Sequence, residues 1–118
     1  MADPAAKVQG IEVFGVGVYG VEVDSQTRCR HYRQLIDVIA LKCACCERYY
    51  PCFQCHQELT GNAVQVWPAA RDVEPAVLCG VCGHQLRASD YLQAHNCPKC
   101  QALFNPACKA HKELYFEV

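Results

Sequence analysis

Two Cys-x-x-Cys pairs, Cys79-Gly-Val-Cys82 and Cys97-Pro-Lys-Cys100, limit what this chain can fold into more than any other feature. A two-residue turn brings its two sulfurs within reach of one cation. Two such turns complete a four-coordinate tetrahedral site and leave no open position. Gly80 and Gly83 let the backbone curl so that amides can point at sulfur, and Pro98 stiffens the second turn. The competing reading is a pair of redox or unpaired dithiols. Zinc is the better fit, and the 14-residue spacer is slightly shorter than the usual zinc-ribbon range but workable.

A second group of donors precedes the first. Cys45, Cys46, Cys52, Cys55 and His56 follow Cys29-Arg-His31-Tyr32, with a strand-like segment between. These are too many ligands for one zinc. The simplest division joins Cys29 and His31 to Cys52 and Cys55, leaving Cys45, Cys46 and His56 for another ion. Adjacent Cys45 and Cys46 would form a strained disulfide, whereas as thiolates they can serve one ion or two. Cys108-Lys-Ala-His111 has ligand spacing but no partner pair, so it either completes the middle site, serves a third ion, or is a buried thiol beside a surface histidine. His84 and His95, alone inside the ribbon spacer, are read as surface or outer groups.

Composition explains why metal is needed. The chain has 118 residues, and its hydrophobic fraction of 52% counts the 11 cysteines. One Trp and four Phe make a thin core. A structural zinc site contributes about 10–16 kcal/mol of apparent binding energy, which becomes folding energy. Net charge is −1, with no Lys/Arg block, which opposes a sequence-independent grip on nucleic acid. No apolar stretch is long enough to span a membrane. The N-terminus, Met1-Ala-Asp-Pro-Ala-Ala-Lys7, lacks a signal pattern, so a cytoplasmic, reducing location is expected, where dense cysteine means metal more often than disulfide.

Other chemistries fit less well. Cys52-Phe-Gln-Cys55-His56 matches a c-type haem attachment site, but the single methionine is Met1 and the surrounding cysteine surplus favours zinc. Pro51-Cys52-x-x-Cys55 matches half of a zinc deaminase signature, but His31 is followed by Tyr32 and Arg33 rather than by the required glutamate. No three-ligand site with a nearby carboxylate base is evident, and no cysteine stands apart as a free nucleophile. The chain is not expected to be an enzyme.

Local patterning predicts a small α+β fold. Valines alternate with glycines and glutamates over 11–23, which reads either as β-rich throughout or as a flexible extension before a strand at 18–23. Further strands are expected at 35–42, 64–67 and 114–118. Short helical turns are expected at 53–59 and after Ser89 or Asp90. Residues 68–75 form the connection between two halves.

Taken in combination, Cys29-x-His31-Tyr32, Cys45-Cys46, Cys52-x-x-Cys55-His56 and the two Cys-x-x-Cys pairs resemble the CHY-type zinc finger, named for its Cys-x-His-Tyr motif. The flanks Tyr49-Tyr50-Pro51, Val66-Trp67-Pro68, Leu78-Cys79-Gly80, Phe104-Asn105-Pro106 and Leu114-Tyr115-Phe116 are similar to the stand-alone bacterial and fungal members, which are related to the fungal helper of small Tim proteins. The resemblance implies about three zinc ions held among short strands and loops, with a zinc-ribbon-like C-terminal half. It places an N-terminal extension at 1–17 and the zinc-finger domain at 18–118, divided into a CHY cluster at 29–67 and a ribbon-like part at 76–118. Members usually carry a histidine where this chain has Gly61-Asn62-Ala63; Cys43, Cys108 or His111 could replace it.

The expected function is a zinc-stabilised structural or protein-interaction module with a protein partner that the sequence does not name. The alternatives are a zinc-handling or thiol-redox factor and, behind it, a nucleic-acid-binding ribbon. Oligomeric state is left open.

Overall fold

A central pair of strands in which nearly every residue is buried organises the molecule. In the computed structural model, residues 10–44, 48–61, 65–105 and 115–116 are described. β1 (Gly10–Val13) and β2 (Val16–Tyr19) form a hairpin; β3 (Ile39–Lys42), β4 (Tyr49–Tyr50), β5 (Val77–Cys79) and β6 (Gln85–Leu86) follow. They make one sheet in the order β1-β2-β4-β3-β5-β6. All neighbours are antiparallel except β2 and β4, which run parallel through Val18 and Tyr49.

Strands β3 and β5 are apolar without interruption because both of their faces are covered. Ala40 pairs with Leu78, and both pack with Val13, Val18 and Tyr49 on the hairpin side. Ile39, Leu41 and Val77 point the other way, into a larger cluster with Trp67, Tyr91, Phe104 and Phe116. This is the period-two alternation of a strand read on two buried faces. The fold is therefore a small α+β arrangement around one sheet, with helices α1 (Phe53–Thr60) and α2 (Ala88–Gln93) and a 3-10 turn at Ala69–Arg71.

Local chemistry moves several predicted boundaries. The strand expected at 35–42 begins only at Ile39. Asp37 accepts the Gln34 amide at 2.9 Å and the Asn105 side-chain amide at 2.7 Å, which holds 34–37 in a turn. The helix expected after Ser89 or Asp90 starts earlier, because the Ser89 amide donates at 3.0 Å to the Asp72 carboxylate, 17 residues upstream. A distant carboxylate thus replaces the local cap. Of the strand expected at 64–67, residues 65–67 are described, and among them Trp67 alone forms a bridge, pairing in parallel with Phe116. The hairpin over 10–19 turns through Phe14 and Gly15, both at positive φ (53° and 78°), the conformation that a two-residue hairpin loop needs. Its tip lies on Gly83, where a Cβ would come within 2.6 Å of the Phe14 Cβ.

The sheet also sets where the donors fall. Cys43 follows β3, Cys52 and Cys55 follow β4, and Cys79 ends β5 with Cys82 in the turn to β6. Among the described residues, no helix is long and apolar enough to cross a membrane.

Candidate metal centres

Two groups of four donors converge, each with its ligand atoms within 4.8 Å of one another: Cys29, His31, Cys52 and Cys55, and Cys79, Cys82, Cys97 and Cys100. The first group is the same as the simplest division of the donors by spacing. Cys45, Cys46, Cys108 and His111 lie outside the described residues.

The first group is built at the start of α1. Cys52 is the N-cap residue, and its sulfur accepts the Cys55 amide at 3.4 Å; Cys55 sulfur accepts the Val21 amide at 3.4 Å. Such amide donors spread the negative charge of a thiolate. Cys29 arrives on the loop after the hairpin, with its amide bonded to the Tyr32 carbonyl, which places His31 beside it. Cys29 and Cys52 sulfurs are 3.6 Å apart. His31 Nδ1 lies 3.4 Å from Cys52, 3.5 Å from Cys55 and 3.8 Å from Cys29.

These distances test the fit to zinc. With Zn–S near 2.3 Å and Zn–N near 2.05 Å, a tetrahedron has S···S edges of about 3.8 Å and S···N edges of about 3.5 Å. The observed edges agree with both. The second group agrees as well: Cys79 to Cys100 and Cys82 to Cys97 are each 3.7 Å. A disulfide would need its two sulfurs at about 2.05 Å. None of the eight described cysteines is in a disulfide.

The protonation pattern points the same way. Thiols of Cys52 and Cys55 donate to Cys29 and hold its pKa down at about 2; sharing that contact with Cys29 pushes Cys55 up to about 12 and Cys52 well above its usual value. Buried sulfurs this close oppose one another's ionisation, and a dication would favour the thiolate form of all three. In the second group burial pushes Cys79 up. Burial also opposes ionisation of Cys97, but the Cys100 and Lys99 amides hold it at about 7.

His31 presents Nδ1 to the sulfurs because Nε2 is engaged by the Glu58 carboxylate at 2.7 Å. Burial lowers the imidazole pKa, but Glu58 and Cys29 together raise it above the ordinary value. A carboxylate on the outer nitrogen fixes the tautomer that a metal-binding histidine needs. Glu58 is no ligand by motif, and its one signal in the sequence is its place on the same short helix as Cys55, three residues on, at a spacing that puts both on one helix face.

His56 is buried but faces away from the first group. Its Nε2 meets Cys43 Sγ at 3.3 Å. His84 and His95 belong to neither group.

The comparisons agree with the donor pattern. The CHY zinc finger family matches residues 29–109. An uncharacterized protein of Schizosaccharomyces pombe is 45% identical over 100 residues, covering 85% of this chain and 88% of its own. A Helper of Tim protein 13 from Kluyveromyces lactis is 40% identical over 99 residues, covering 84% and 87%. The Helper of Tim protein 13 from Saccharomyces cerevisiae is 40% identical over 104 residues, covering 85% and 90%.

Proposed function

The chain belongs to the CHY zinc-finger family, and on that premise we propose that it is a zinc-stabilised interaction module that acts by docking on a protein partner. Closed four-donor groups carry this reading. Each has a full tetrahedral complement, so neither leaves a coordination position for substrate. The carboxylate that contacts the first group, Glu58, is spent on the outer nitrogen of His31, and a closed site leaves it no ligand-bound water to activate. The role is accordingly binding rather than catalysis, with zinc shaping the surface.

The relatives called Helper of Tim protein 13 supply the class of partner: a Tim protein. The ligands assigned to zinc are Cys29, His31, Cys52 and Cys55 at one ion and Cys79, Cys82, Cys97 and Cys100 at another. Cys45, Cys46, His56, Cys108 and His111 are candidates for a further one. The test is binding of a purified Tim protein by zinc-loaded chain, read by titration calorimetry. Binding that vanishes on chelation and returns with zinc is the expected result. Equal affinity with and without zinc would remove the reading.

A second reading, zinc handling or thiol redox assistance, draws on one observation. Cys82 and Cys100 are partly exposed, whereas Cys29, Cys52 and Cys55 are buried. An oxidant would reach the ribbon sulfurs first. Native mass spectrometry during stepwise mild oxidation separates the two readings: one early-departing ion favours redox handling, and ions lost together favour the interaction module. A nucleic-acid role ranks behind both, since a net charge of −1 argues against it.

A further inference from the structure

We propose that Cys43 and His56 form one edge of a third zinc site in which Cys43 supplies a thiolate. The inference rests on the zinc-binding reading above and extends it to a residue outside the motif.

Both groups are withdrawn from water: Cys43 is 2% exposed and His56 0%. Their contact of 3.3 Å is close to the edge of about 3.5 Å expected between sulfur and nitrogen on one zinc ion. It matches the 3.4 Å between His31 Nδ1 and Cys52 in the first group. Helix geometry keeps the sites apart. Cys55 and His56 are neighbours on α1, and successive residues project about 100° apart, so one donor turns to the first group and the other to Cys43.

The ring is also held in the tautomer a ligand needs. The Thr60 hydroxyl donates to the His56 carbonyl at 2.7 Å, which turns its oxygen lone pairs toward Nδ1, 3.5 Å away. The Nδ1–H then donates to Thr60 and the Nε2 lone pair faces Cys43. The first group has the same logic with the nitrogens exchanged and Glu58 in the outer place. Tyr50 packs edge-on to the His56 ring at 4.9 Å and blocks rotation. Cys43 is fixed too, through its amide bond to the Arg48 carbonyl at 3.0 Å.

A simple S–H···N hydrogen bond would satisfy the same two atoms. Metal is favoured by the sequence that follows Cys43. Cys45 and Cys46 follow within three residues, and although they lie outside the described residues they make this the chain's densest run of thiols. On binding, the Cys43 thiol loses its proton to solvent and the sulfur lone pair goes to the cation, with no change of redox state.

The experiment is native mass spectrometry of purified protein reconstituted with zinc, together with the near-ultraviolet thiolate-to-metal band of the cobalt-substituted form. Wild type is expected to hold three ions and Cys43→Ser two. Three ions in Cys43→Ser, or two in wild type, would overturn this inference while leaving the other two sites intact. A wild type with no zinc would instead end the zinc-binding reading itself. If Cys43→Ser does not fold, Cys43→His keeps a donor in place; a weaker cobalt–thiolate band supports the assignment, and an unchanged band refutes it.

Discussion

Replacing Glu58 with Ala should loosen zinc at the first site and leave the ribbon site untouched. The carboxylate sits 2.7 Å from His31 Nε2, the geometry of a charge-assisted hydrogen bond. Such a bond contributes about 1.5–3 kcal/mol when shielded. Glu58 is 51% exposed, so solvent screening brings the figure down to about 1 kcal/mol. That corresponds to roughly a fivefold weaker site, since about 1.4 kcal/mol is tenfold. Glu58→Gln keeps an acceptor but loses the charge, and should fall between wild type and Glu58→Ala. Competition against a chelator of known zinc affinity, followed by native mass spectrometry, reads each ion separately. The ribbon ion is the internal control. A first-site affinity within twofold of wild type in Glu58→Ala would refute the idea that the outer carboxylate holds the histidine in its ligating tautomer. So would an equal loss at both sites.

Three further outcomes are expected. Cys97→Ser should release the ribbon ion and also broaden the near-ultraviolet dichroism of Trp67, because Cys97 and Trp67 share one core cluster; a variant that keeps its zinc and its spectrum would defeat the ribbon assignment. Gly83→Ala should destabilise by about 1–2 kcal/mol from its left-handed backbone plus about 1–3 kcal/mol from overlap with the Phe14 Cβ and ring, and a Phe14→Gly background, which removes both, should take away only the second part in urea unfolding. Zinc affinity at the first site should weaken about 100-fold per unit of acidification near neutrality. Cys52 and Cys55 are both pushed above the ordinary thiol value by Cys29, so at least two protons must leave as the ion binds; calorimetry in buffers of different ionisation enthalpy counts them.

The donor groups were largely legible in the sequence because their information is local. A Cys-x-x-Cys turn specifies its own geometry, and Cys29 with His31 needs only one loop to reach Cys52 and Cys55. Glu58 was not legible, since an exposed glutamate on a short helix looks like any solvated residue until His31 lies beside it. The contact of Cys43 with His56 was half-visible: the residue type stood out, but its partner depends on how α1 is rotated. The strands were read from alternation and came out displaced where side chains compete with the ladder, as at Asp37. The Asp72 cap on α2 belongs to no local pattern at all, because the two groups are 17 residues apart. The parallel contact of β2 with β4 through Val18 and Tyr49 likewise carries no local signature.

The β3–β5 ladder joins the two cation sites in one rigid piece. It begins beside Cys79, which pairs with Ile39, and runs toward Cys43, which packs with Cys29, Cys52 and Cys55. Each ion therefore pins one end of the same short ladder, and withdrawing one frees the strand ends on its own side while the other end stays clamped. Partial chelation would then show as amide exchange quickening across one half of the sheet before the other.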